Sequence, residues 1–196
     1  MVDRSRVFAD LPKARFRNVI IDCPWKFSAG TKSRPQHYPR LTFEECCDLP
    51  VKELLHDEGA RVFAWITAPL MHRAGELAKA WGLRYSTMFP WLKLWPNESG
   101  MFIYPGSLAR GTGFEVQGNA EYILILKHRR PEHNKRRPFP GAYITPRRAH
   151  SQKPPDLHAD IEARFAGPHL EIFARQSRPG WVTWGNQATY FDGEAA

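Results

Sequence analysis

Cysteine is scarce in this chain of 196 residues; the three are Cys23, Cys46 and Cys47. No C-x-x-C spacing occurs and adjacent cysteines rarely pair with each other, so neither a disulfide framework nor a zinc site is supported. The expected compartment is reducing and cytoplasmic. The eight histidines are scattered and lack the H-E-x-x-H pattern, so no metal site is expected. Long apolar runs are missing too. The longest are about eight residues, far short of a membrane span. The segment Met1–Asn18 is polar and charged, unlike an export signal. Acids are outnumbered, 20 Asp and Glu against 28 Lys and Arg, and the net charge of +8 favours a polyanionic partner.

What is present is a core. The chain is 42% hydrophobic and 13% aromatic with seven tryptophans, enough for one compact soluble domain. Asn18-Val-Ile-Ile-Asp22 and Arg61-Val-Phe-Ala-Trp-Ile66 are short apolar runs of the kind that form buried parallel strands. Pro69 can open a helix carrying Leu70, Ala74, Leu77, Ala78 and Trp81 on one face, stopped by Gly82. A third strand alternates Leu83, Tyr85, Thr87, Phe89 and Trp91, and Pro90 within it suggests a sheet edge or a bulge. Glu121–Leu126 reads as a fourth strand. Lys153-Pro-Pro-Asp156 opens a helix with Leu157, Ile161 and Phe165 on one side, and His169–Phe173 and Trp181–Trp184 read as final strands. This alternation predicts a single α/β domain with a mostly parallel sheet and helices on both faces. In such sheets ligands bind where the strands end.

Charge is unevenly placed. Between Lys127 and Arg148 stand Lys127, Arg129, Arg130, Lys135, Arg136, Arg137, Arg147 and Arg148, against the single acid Glu132. Prolines and glycines run through the same stretch, so residues 127–150 are expected to form a long basic loop that contacts phosphates, with a solvated loop as the alternative.

The strand end Asp22-Cys23-Pro24-Trp25 offers a carboxylate, a backbone carbonyl held by proline, and an indole. Those parts suit one task. An exocyclic amino nitrogen of adenine is a poor nucleophile because its lone pair is delocalised into the ring. A carboxylate and a rigid carbonyl can accept its two N–H groups and aim it, while an aromatic ring stacks on the extruded base. The same tetrapeptide can equally be a strand-end turn with Trp25 packed in the core.

Asp22-Cys-Pro-Trp25 resembles the Asp-Pro-Pro-Trp motif of the family named for the 70-kDa catalytic subunit of the mRNA adenosine methyltransferase, which has bacterial and phage members. Further segments resemble that family in order: Gln36-His-Tyr-Pro39, Phe63–Thr67, Ala80–Tyr85, Trp91-Leu-Lys93, Arg110–Phe114, Asn119-Ala-Glu121, His150-Ser-Gln-Lys-Pro154, Leu170–Arg175 and Pro179–Asn186. The resemblance covers residues 18–187. It implies a Rossmann-like, S-adenosylmethionine-dependent methyltransferase fold in permuted order, with the catalytic motif early and the cofactor segments late. By position it makes Asp22, Cys23, Pro24 and Trp25 catalytic. Asp22 and Lys153 would meet the methionine part of S-adenosylmethionine, Glu171 and Arg175 would flank its adenosine, and Asn186 and Gln187 would close over ribose and base. Tyr38 falls where the family has an active-site loop tyrosine, and with Arg129, Arg130, Arg136, Arg137, Arg147 and Arg148 it makes up the expected nucleic-acid contacts.

One position departs from the family: Cys23 stands where proline is usual, which removes a fixed φ but keeps the carbonyl. The implied activity is N6 methylation of adenine in DNA. The alternatives are the same reaction on RNA, or an inactive nucleic-acid-binding subunit. Monomer and homodimer are both open.

Overall fold

The structure is a computed structural model that describes residues 7–26, 39–96, 105–111, 115–132, 138–149 and 151–193. Seven strands form one sheet: β1 (Asn18–Ile21), β2 (Gly59–Thr67), β3 (Arg84–Leu94), β4 (Ala120–Arg129), β5 (Tyr143–Pro146), β6 (His169–Ile172) and β7 (Trp181–Trp184). Their order is β5-β3-β4-β2-β1-β6-β7. β1 pairs in parallel with β2 and β6, β6 with β7, and β3 with β5. β4 runs antiparallel to both of its neighbours, β2 and β3. The sheet is mixed and mostly parallel, with one reversed strand.

The pleat distributes the apolar runs to two cores. Val19, Ile21, Val62, Ala64, Ile66, Leu124, Leu126, Leu170 and Ile172 point to one face. Ile20, Phe63, Trp65, Ile123, Ile125 and Trp181 point to the other. Helices α1 (Phe43–Cys47) and α2 (Ala74–Ala80) cover the first face with Phe43, Cys46, Leu77 and Ala78. Helix α3 (Asp156–Glu162) covers the second with Leu157 and Ile161. Each fully buried Leu, Ile or Phe stabilises the fold by about 1.5–3 kcal/mol of apolar burial. Strands enclosed on both sides therefore have to read as continuous hydrophobic runs, and β1 and β2 do.

The helix expected from Pro69 is divided. Ala68–Arg73 is a 3-10 helix, and α2 proper starts at Ala74. Its end follows expectation: Gly82 sits at φ +65°, which glycine tolerates, and the Leu83 N–H donates to the Ala78 carbonyl at 2.8 Å. In β3 the alternation expected from Leu83 is broken by a register shift between Tyr85 and Thr87, so Tyr85 is exposed while Phe89 and Trp91 are buried. Pro90 does not mark the bulge, but it does lie where β3 has no strand on its outer side, as an edge position requires. It directly precedes the pairing of Trp91 with Tyr143 that adds β5 to the outside of β3.

The continuous basic loop expected over 127–150 is corrected in two places. β4 runs on through Lys127 to Arg129, and Tyr143–Pro146 forms the edge strand β5. β5 is short, ends in proline and has a single strand neighbour, as an edge can. Tyr143 anchors it, with its ring edge-on to Phe89 and its hydroxyl donating to Asp160 at 2.6 Å. Among the described residues no helix is long and apolar enough to cross a membrane.

Candidate active site

Six of the seven strands point the same way, so Asp22 after β1, Thr67 closing β2, Lys93 near the end of β3, Arg175 beyond β6 and Asn186 beyond β7 all lie along one edge. The reversed β4 contributes its first residues there: Glu121 pairs with both Thr67 and Trp91.

At the centre of this edge is a four-membered charge cluster. The Lys153 ammonium donates to Asp22 Oδ2 at 2.7 Å and lies 3.1 Å from Glu121 Oε2. The other Glu121 oxygen accepts from Lys93. The indoles of Trp65 and Trp91 flank the two ammoniums, with Lys153 Nζ 5.3 Å from one ring centre and Lys93 Nζ 4.9 Å from the other. All four charged side chains are at most about a quarter exposed. Lys153 arrives from the segment before α3, where Pro154 and Pro155 hold it out of the helix.

The two carboxylates of the cluster are not equivalent. Burial pushes Glu121 up, but the Lys153 and Lys93 ammoniums outweigh it and hold the group at about 2. Asp22 has one ammonium and shares it. Burial, helped by the Glu121 and Glu171 carboxylates and only partly offset by Lys153, holds Asp22 above the usual carboxylate range. Lys153 is pushed up despite its burial, because Asp22 and Glu121 stabilise its charged form. Glu121 and Lys93 were quoted in the sequence only as parts of segments, not as site residues. Their signal was a charge within two residues of an apolar strand's end, Lys93 near the close of β3 and Glu121 near the start of β4.

The turn after β1 is tight. The Cys23 carbonyl accepts from the Trp25 N–H at 2.8 Å, and the Pro24 carbonyl accepts from the Leu41 N–H, also at 2.8 Å. The Cys23 side chain is buried against Cys46, and burial pushes its thiol well up. Trp25 takes the packed alternative: it is 7% exposed, stacks on Phe43 at 6.0 Å, and its Nε1 donates to the Trp65 carbonyl at 3.3 Å. Its indole fixes the turn and offers no open face to a base.

The β6 and β7 ends form the other half of the edge. Glu171 Oε2 is bonded at 2.8 Å to Nε2 of His158, a buried residue of α3 whose ring lies edge-on to Trp181. Phe173 adopts φ +60°, a conformation costly for a side-chain-bearing residue and characteristic of functional turns. Gly185 packs on it: a Cβ there would lie 3.1 Å from Phe173 Cα and 3.2 Å from Ala174 N. Arg175 is half-buried, its guanidinium 4.6 Å from the ring centres of both Tyr190 and Phe191, so it clamps the turn carrying Asn186 and Gln187 rather than lying free on the surface. Asn186 is exposed.

The basic residues divide between opposite edges. Arg147 and Arg148 follow β5 at the Asp22 edge, where Arg147 lies 4.5 Å over the Trp95 ring. Arg129 pairs with Gly59 at the far end of β4, and Arg130 follows it, so neither lies at the Asp22 edge. Tyr38, Arg136 and Arg137 lie outside the described residues.

A mostly parallel α/β sheet with charged residues gathered where its strands end is consistent with a methyltransferase fold. The family model MT-A70 matches residues 16–187, and the chain belongs to that family. It is 27% identical over 186 residues to the N(6)-adenine-specific methyltransferase METTL4 of Mus musculus, covering 90% of this chain and 38% of that protein. The Homo sapiens METTL4 gives 27% over 187 residues with the same coverage. The type II methyltransferase M.MunI of a Mycoplasma species is 27% identical over 204 residues, covering 92% of this chain and 81% of that one. The chain thus spans 38% of the METTL4 relatives' length.

Proposed function

We propose that this chain transfers a methyl group from S-adenosylmethionine to the exocyclic amino group of adenine in DNA. The observation that carries the reading is Asp22, held at the end of β1 by a buried lysine, on the same edge as the β6 and β7 turns. The strand carrying Asp22 comes first among the strands and those turns come last, which supports a permuted Rossmann-like order. One kind of relative is named an N(6)-adenine-specific methyltransferase and the other a type II methyltransferase, which supports the class.

The residues fit the cofactor. Thr67 Oγ1 is buried at this edge without a hydrogen-bond partner in the described residues, as a wall awaiting a ligand would be. Phe173 and Gly185 bring two strand ends together with no side chain between them. Asp22 suits an ammonium, Lys153 a carboxylate, Glu171 ribose hydroxyls, and Asn186 and Gln187 a ribose or adenine edge. Bound there, S-adenosylmethionine supplies an electrophilic methyl on a sulfonium.

The protein's part is orientation. Asp22 accepts one N–H of the target amino group, and the Cys23 carbonyl, which has a second lone pair beside the one used by Trp25 N–H, accepts the other. The nitrogen lone pair then points away from both acceptors. Lys153 fixes the Asp22 carboxylate and keeps its charge. His158 holds Glu171 in one orientation.

The test is incubation with tritiated cofactor and single-stranded DNA, duplex DNA or RNA of one sequence at one salt concentration. Label in DNA, strongest where the adenine is unpaired and easiest to extrude, is expected. Label in RNA alone would move the substrate and leave the site in place. No label, and no thermal shift with cofactor, would leave a nucleic-acid-binding subunit.

A further inference from the structure

The opposite edge of the sheet carries an arrangement that the methyl-transfer site does not use. Lys127 on β4 pairs in register with Arg61 on β2 and with Arg84 on β3. Three cations thus stand side by side on one face across three adjacent strands, where like charges directly opposite each other destabilise a sheet. Among the described residues none of the three forms an ion pair, although the Glu132 carboxylate acts on Arg61 from further off. Arg61 is 5% exposed, with its guanidinium 3.8 Å over the Phe165 ring, and burial lowers its pKa only to about 10, so it stays charged. Arg84 is exposed and Lys127 half-buried.

The exposed Arg129 and Arg130 follow Lys127 at the end of β4, and the backbone there is held in place. A Cβ on Gly59 would come within 2.7 Å of Pro131 N, so the Arg130–Pro131 backbone lies directly against the start of β2.

We infer that this amino edge, with Lys127 and Arg84 presented on it and the buried charge of Arg61 behind them, is a second contact surface for the phosphate backbone of the DNA whose adenine occupies the Asp22 edge. The inference rests on the nucleic-acid reading above. Phosphates supply the neutralisation that the fold withholds, and the spacing suits them. Lys127 lies six residues along β4 from Glu121, which is about 20 Å at roughly 3.3 Å per residue. A duplex rising 3.4 Å per base pair covers that in about six pairs.

The test uses the full chain with Arg84→Gln, Lys127→Gln and the double variant, and Lys79→Gln as control. Lys79 is an exposed cation on α2, over the other face. Binding of a fluorescein-labelled 30-base-pair DNA is followed by anisotropy across salt concentrations, with RNA of the same length and polyglutamate as comparison probes. Each single variant is expected to flatten the slope of log K against log salt by roughly 0.9, and the double variant by about twice that, while Lys79→Gln leaves it unchanged. The thermal midpoint should stay or rise, because repulsion is removed, which separates lost contact from lost fold. An unchanged slope, an equal effect of Lys79→Gln, or a loss confined to RNA or polyglutamate would overturn the surface. Failure of the parent protein to bind DNA at all would overturn it together with the nucleic-acid reading.

Discussion

The two edges of this sheet use basic residues in opposite ways. At the edge where β1 ends, Lys153 and Lys93 are neutralised by Asp22 and Glu121, packed by tryptophans and held in one geometry. At the edge where β4 ends, Arg61, Lys127 and Arg84 line up without an ion-paired carboxylate among the described residues. In the proposals above, the cations paired inside the fold orient reacting groups, and those in register at the other edge meet a polyanion. Net charge alone, +8, cannot distinguish the two roles.

The comparison breaks most completely at Asp22. Asp22→Ala is expected to reduce the methyl-transfer rate 100-fold or more, the usual cost of removing a group preorganised for the reaction, with cofactor-induced thermal stabilisation retained. Near-normal turnover in the folded variant would remove Asp22 from the site.

Glu121→Gln comes next. It leaves Lys153 with Asp22 alone and takes from Lys93 the carboxylate it pairs with, and the partly buried cations should then cost about 2 kcal/mol of stability, read from a denaturant midpoint. A change within error would mean that water already screens the cluster.

The pH dependence sharpens the difference between the two carboxylates. Asp22 must be ionised to accept N–H groups. Its pKa lies above the usual carboxylate range, so kcat/KM should fall on acidification earlier than an ordinary aspartate would allow. Glu121, held at about 2, stays ionised throughout that window. Its depressed pKa adds stability that is complete above its ordinary 4.5 and is lost as pH falls from there toward 2. Activity should therefore fail on acidification before the fold does.

The smallest effect is expected at Cys23. Cys23→Pro keeps the carbonyl and gives up a buried thiol packed on Cys46, so activity should be kept, with stability changed by about 1 kcal/mol or less. Loss of activity in the folded variant would show a role for the Cys23 N–H.

Local signals were legible in the sequence; strand direction was not. Asn18–Asp22 announced a buried strand ending in a carboxylate because burial on both faces demands an unbroken apolar run. Gly82 marked a helix end because its φ +65° disfavours other residues. The 127–148 segment looked like one basic loop because composition carries no information about a strand that reverses: β4 takes Lys127 and Arg129 to one edge and β5 returns Arg147 to the other. The Lys93–Glu121–Lys153 bridge was hidden because its members come from three distant segments and only the sheet order joins them. Trp25 was ambiguous for a physical reason, since an indole serves a core and a base-stacking wall equally well. Its stacking on Phe43 and its bond to the Trp65 carbonyl place it in the core.

The central claim, that the β1-end edge methylates adenine, is tested most directly by product identity. DNA carrying a single adenine, incubated with the protein and S-adenosylmethionine and then digested to nucleosides, should yield N6-methyladenosine in its deoxy form by mass spectrometry. Recovery of unmodified adenine alone, or of a methyl group on another base, would contradict the account.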